Sequence, residues 1–138
     1  MRKEIHRILE YFEKRTEVAT LFIFGTFDTA NERGHSDIDL AVLLYSGELK
    51  DQNYELFKDE YYKASPDFSL RSVDIVILNT APATLKYEIL KTGAVLMDKN
   101  PDLRKFFTAI TLQEYYDYKF IEEIYFNAVK RRLRKEYG

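Results

Sequence analysis

The chain has no cysteine and only two histidines, His6 and His35. A disulfide framework, a thiol nucleophile, a zinc-thiolate site and a histidine-built metal cluster are therefore all excluded. Prolines number three and glycines five in 138 residues, and no Gly/Ser/Pro-rich linker divides the chain. No stretch approaches the roughly 18 consecutive apolar residues of a membrane span. The opening residues, Met1 to His6, lead into no apolar signal core, so a cytoplasmic, non-membrane protein is expected. A basic surplus is missing too: 21 Lys and Arg stand against 23 Asp and Glu, for a net charge of −2. General nucleic-acid binding is not expected, because affinity for a phosphate backbone needs excess Lys and Arg. What is present is ordinary for a globular domain, 46% hydrophobic and 32% charged. The length suits one domain, residues 1–138, with a helical extension over about 101–138.

Periodicity orders the elements. Ile5, Ile8, Leu9 and Phe12 recur at helical spacing and predict an amphipathic helix over 2–15. Thr20 to Phe24 is an apolar run ending at Gly25, as a buried strand would be. The stretch 37–44 alternates acid and apolar residue, then turns wholly apolar: a strand with a polar start and a buried end. Tyr54, Phe57 and Tyr61 space a helix over 51–64, and 72–78 reads as a third strand. Pro82 and Gly93 bracket a helix over 82–92, and 94–97 reads as a short strand. Pro101 opens a short helix, and Ile121, Ile124, Tyr125 and Ala128 mark the apolar face of a separate terminal helix over about 112–136. With a further helix after Gly25, the order implies an α/β fold: a small mixed sheet flanked by helices.

Three acids carry the chemistry. Asp37 and Asp39 stand at i and i+2 of a strand, so both point to one face, and Asp74 opens the next strand. Side-by-side carboxylates repel unless a cation lies between them, and hard oxygen ligands suit Mg²⁺ or Mn²⁺. With ten aspartates in the chain, an Asp-x-Asp pair arises by chance, so its context must carry the reading. That context is Gly25-Thr26 at the end of an apolar strand, ten residues ahead of Asp37. There a bare backbone and a hydroxyl can face a phosphate at a helix N-terminus. Thr26 also fits a helix N-cap, and Ser36 fits either turn chemistry or a nucleotide contact. Lys130 to Lys135 places five bases in six residues, which suits the negative end of a helix dipole. The aromatic cluster Tyr115, Tyr116, Tyr118 and Phe120 reads as core.

Gly25-Thr26, ten residues, Asp37-Ile38-Asp39-Leu40 and then Val73-Asp74-Ile75-Val76 together resemble the nucleotidyltransferase superfamily of DNA polymerase β. The small size resembles its minimal nucleotidyltransferases, the MNT proteins. The stretch from Pro82 onward, with Gly93 to Leu96 and the helix through Tyr115 to Lys119, resembles the MNT antitoxins paired with HEPN ribonuclease toxins. Two departures stand out: Thr26 replaces the usual Ser, and Asp28-Thr29-Ala30 replaces a frequent Ala-Arg-Gly, with Arg33 a turn further on.

The resemblance implies a polymerase β-like fold and transfer of AMP from ATP. Two Mg²⁺ ions would be held by Asp37, Asp39 and Asp74, with Gly25, Thr26 and Ser36 on the nucleotide. It further implies a tyrosine of a HEPN partner as acceptor, docked on the aromatic and basic terminal helix, with homo-oligomerisation possible. Two other readings stay open: an antitoxin that acts by binding alone, and a small-molecule transferase of the aminoglycoside type.

Overall fold

The computed structural model describes residues 2–25, 38–45 and 51–137. Helix α1 (Arg2–Glu13) leads into strand β1 (Val18–Phe24), and strand β2 (Ile38–Leu44) follows. Helix α2 (Asp51–Phe68) crosses to strand β3 (Val73–Ile77), which passes through a 3₁₀ turn (Leu78–Thr80) into helix α3 (Ala83–Thr92). Strand β4 (Ala94–Asp98) and helix α4 (Pro101–Tyr137) complete the order. The helix expected after Gly25 lies outside the described residues.

The sheet order is β3-β2-β1-β4. Strand β1 is antiparallel to both neighbours, whereas β2 and β3 run parallel, joined by α2 in a β-α-β unit. Both faces are covered, which is why β1 and β2 read as near-continuous apolar runs. On one face α1 and α2 bring Ile8, Phe12, Tyr61 and Phe68 onto Leu21, Leu40, Val42 and Ile75. On the other, α3 and the start of α4 bring Ile89, Leu103 and Phe107 onto Phe22, Ala41 and Leu43. The mixed α/β architecture expected from the sequence is the one observed.

Two helices differ from expectation. Helix α2 continues past residue 64 to Phe68 with Pro66 inside it. Proline removes the N–H that would reach the Tyr62 carbonyl, and the Ser65 hydroxyl donates to that carbonyl instead, at 2.8 Å. The substitute bond lets the helix survive its proline. The two expected C-terminal helices are one, 37 residues long. Its first turns pack on the sheet, and Tyr115 stacks on Tyr87 with ring centroids 3.8 Å apart. Beyond that point the aromatic cluster is not core: Tyr116 is 60% and Phe120 65% exposed. The face of Ile121, Ile124 and Tyr125 is likewise exposed, because no other described element lies against it.

Candidate active site

Strand β1 ends at Gly25, whose φ is +77°, a left-handed conformation that costs any residue with a Cβ. Across the antiparallel ladder Phe24 pairs with Asp39 of β2, which brings the Asp39 carboxylate over the Gly25 backbone. A Cβ at Gly25 would lie 2.3 Å from Asp39 Oδ2, so the acid occupies the space a side chain would fill. Glycine is required twice, by conformation and by the carboxylate.

Strand β3 lies on the other side of β2, in parallel register, with Asp74 opposite Asp39. Neighbouring strands are about 4.8 Å apart, and register partners project to the same face. Phe24, Asp39 and Asp74 therefore form one row across three adjacent strands, and Gly25, just past the end of β1, lies against the Asp39 carboxylate. Asp39 shares its face with Ala41 and Leu43, and Asp74 shares the same face with Val76. This is the face that α3 and α4 cover further along. Here the row is open: Asp74 is exposed and Asp39 half-buried.

Like charges directly opposite on neighbouring strands are unfavourable, so the row is costly for the fold by itself. Two hard oxygen donors beside a bare backbone are the ligand type that suits a divalent cation such as Mg²⁺ or Mn²⁺. Among the described residues no group of three or more His, Cys, Asp or Glu gathers closely enough to hold a metal ion. The remaining residues of the sequence reading, Asp37, Thr26 and Ser36, lie outside the described residues, as do Arg33 and His35.

One positioning residue escaped the sequence reading. The Tyr62 hydroxyl accepts the Ile75 N–H at 2.9 Å and donates to the Ile75 carbonyl at 3.4 Å. Strand β3 is a sheet edge, and this hydroxyl satisfies its outward backbone groups one residue after Asp74. At the near end Ile38 N–H donates to the Ser72 carbonyl at 2.9 Å, which fixes where the β2–β3 register begins. At the far end the Asn79 carboxamide accepts from Leu44 N–H and donates to Leu44 O, each at 2.9 Å. The row of acids is thus held by a backbone bond at one end of β2 and by the Asn79 side chain at the other. Nothing in the helical spacing of α2 singles Tyr62 out, because it lies beside the buried Tyr61 rather than on the buried stripe.

Solved structures share this arrangement of elements. A chain in a crystal structure of a toxin–antitoxin with AMP-PNP is similar over 91% of this chain and 98% of its own, with 20% identity and a TM-score of 0.67. A chain of the toxin–antitoxin MntA–HepT matches over 94% and 99%, at 18% identity and TM-score 0.65. A third, from the tri-AMPylated Shewanella oneidensis HEPN toxin in complex with MNT antitoxin, matches over 94% and 98%, at 18% identity and TM-score 0.66. At these identities the likeness is one of fold. None of the curated proteins compared matches the chain. The family model for polymerase beta nucleotidyltransferases matches residues 6–102, a span that holds Gly25, Asp39, Asp74 and the whole sheet. The chain belongs to the polymerase β nucleotidyltransferase family.

Proposed function

We propose that the protein transfers AMP from ATP to a hydroxyl acceptor, and that the acceptor is a tyrosine of a HEPN-type toxin for which this chain is the antitoxin. The observation that carries the reading is the register of Asp39 with Asp74 beside Gly25. It leaves two acids at an open sheet end where a partner's side chain can enter. The three similar solved structures support the pairing, since one contains AMP-PNP and another an AMPylated HEPN toxin. Residues 1–138 act as one nucleotidyltransferase domain with its helical extension from about residue 101, working in the cytoplasm. Among the described residues no helix is long and apolar enough to cross a membrane.

In this reading Asp37, Asp39 and Asp74 would hold Mg²⁺, which would supply charge stabilisation during transfer. The Gly25 backbone and the Thr26 hydroxyl bind the β and γ phosphates, and Ser36 contacts the nucleotide. The acceptor oxygen forms its bond to the α-phosphorus as the bond to the bridging oxygen breaks, and pyrophosphate leaves. Asp74, more exposed than Asp39, would take the proton that the acceptor hydroxyl gives up.

Intact-mass spectrometry of a co-expressed HEPN partner tests this. One or more added AMP units are expected with the parent protein and none with Asp37→Asn/Asp39→Asn. If both versions leave the mass unchanged while toxicity is still suppressed, neutralisation is by binding alone and the enzymatic reading falls.

A further inference from the structure

Past Tyr115, helix α4 leaves the body of the protein with large apolar side chains uncovered. Ile121 is 65% exposed, Tyr125 64% and Ile124 52%. A soluble chain seldom presents such a strip without something to bury it. Along the helix the positions 114, 118, 121, 125, 128 and 132 follow the alternating four- and three-residue steps of a heptad seam. They are occupied by Glu114, Tyr118, Ile121, Tyr125, Ala128 and Arg132. Charge along this seam is ordered: Glu114 and Asp117 come first, Arg131 and Arg132 last.

We infer that α4 pairs antiparallel with the α4 of a second copy of this chain, about a twofold axis near residue 123. The order of charge selects both occupant and direction. Seam layers of an antiparallel pair, centred there, place Ile121 against the partner's Tyr125 and Tyr118 against the partner's Ala128, large beside small. The same register sets Glu114 against the partner's Arg132 and Asp117 beside the partner's Arg131. A parallel pair would stack Arg132 on the partner's Arg132 and Glu114 on the partner's Glu114, an arrangement that like charges oppose. Shifting the antiparallel register by one heptad sets Arg132 against the partner's Ile121 and forfeits both charge matches.

Three local contacts bear on this pairing, the first being Arg132 Nε 3.7 Å from Glu136 Oε1, so that arginine would be shared between Glu136 and the partner's Glu114. Glu114 already lies 3.3 Å from Lys86 Nζ with its side chain half exposed, so it would be shared between that lysine and the partner's arginine. Glu122 would face its twin near the axis, and it already has Lys119 Nζ at 3.8 Å. Tyr116 and Phe120 lie on the opposite side of the helix, outside the seam, and stay available to another protein. The pairing is independent of the chemistry of the acid row, and it leaves a HEPN partner the Tyr116 and Phe120 side of the terminal helix.

Because the chain has no cysteine, introduced thiols report the geometry cleanly. Positions 118 and 128 are about 15 Å apart on one helix, beyond the roughly 7 Å a disulfide spans. In the proposed pair each faces the other across the axis. Full-length Tyr118→Cys/Ala128→Cys should oxidise to a covalent dimer, whereas each single variant should not, its two thiols being displaced by about 15 Å. Sedimentation velocity should show the parent as a dimer at micromolar concentration. Arg131→Glu should weaken that dimer by about tenfold or more, and Asp117→Lys/Arg131→Glu should restore it. A monomer throughout the concentration series overturns the proposal. So does crosslinking of the single variants as fast as the double, or failure of the charge swap to rescue.

Discussion

Replacing Gly25 with alanine disturbs the backbone and the acid beside it at once, and the two effects separate by assay. An alanine at φ +77° costs about 1–2 kcal/mol relative to glycine. For a domain of this size that lowers the melting temperature by about 3–8 °C. The second effect is local. The new Cβ would sit 2.3 Å from Asp39 Oδ2, so the carboxylate must retreat by about 1 Å to reach ordinary contact, a displacement that can cost 10²-fold in rate. Gly93→Ala is the control. Its Cβ would meet the Ile89 carbonyl oxygen at 2.6 Å, the Ile23 carbonyl oxygen at 3.2 Å and Phe24 Cβ at 3.4 Å, which is crowding on the side of β1 opposite to β2 and its acid. Differential scanning fluorimetry without ligand reads the backbone cost, the added shift with Mg²⁺ and ATP reads binding at the displaced carboxylate, and the loss of rate is read by AMP transfer. Both variants should melt earlier, but only Gly25→Ala should lose the upward shift that nucleotide gives the parent. If Gly25→Ala keeps that shift in full, the close approach of Asp39 to the bare backbone has no part in the site.

Asp74→Asn removes one of two acids that share a register position. Relief of a like-charge cross-strand pair is worth about 0.2–1 kcal/mol, so the ligand-free variant should melt about 1–3 °C higher while its response to Mg²⁺ and ATP disappears. A lower melting point would mean that Asp74 serves the fold. Away from the site, burial pushes the Glu17 carboxyl up. The hydrogen bonds from the Tyr61 hydroxyl (2.7 Å) and Arg15 Nε (2.8 Å) outweigh it and hold the group below the usual carboxylate range. A depressed value stabilises the fold above the unfolded pKa of about 4.3, and that contribution is lost as pH falls through the folded value. Urea midpoints taken from pH 7 down to 3 should therefore fall more steeply for the parent than for Glu17→Gln. Equal slopes would show that Glu17 is not the linked group.

The strands were legible because covering both faces of a sheet forces near-continuous apolar sequence, and β1 and β2 have it. The acids were legible as candidates because i and i+2 share a face on any strand. Their meeting was not legible. It depends on β2 and β3 running parallel with Asp39 opposite Asp74, a register fixed by the α2 crossover, by the Ile38–Ser72 backbone bond and by the Asn79 side chain on Leu44. Pairing of that kind leaves no periodic trace. The same holds for Tyr62, whose hydroxyl closes the outer edge of β3 from a helix position with no distinguishing neighbours. The end of α2 was not legible either, since the apolar spacing stops short of Phe68 and a proline such as Pro66 ordinarily ends a helix. Here a single serine hydroxyl one residue earlier replaces the missing bond.

Helix α4 separates what periodicity states from what it leaves open. Apolar residues at helical spacing say that a face needs cover, and the natural reading is cover from the same chain. Up to Tyr115 that reading holds, with Leu103 and Phe107 against the sheet and Tyr115 on Tyr87. Beyond it the spacing continues unchanged from Tyr118 through Ile121 and Tyr125 to Ala128, yet every one of these side chains faces outward. Burial and exposure thus follow one another along a single uninterrupted helix with no change in pattern. What does change is charge, acidic at Glu114 and Asp117 and basic from Lys130 onward. Apolar surface alone is indifferent to its occupant, since any apolar face would satisfy it. A graded charge is not: it is complemented by a surface graded in the opposite sense, and an antiparallel copy of the same helix supplies that gradient without further adjustment.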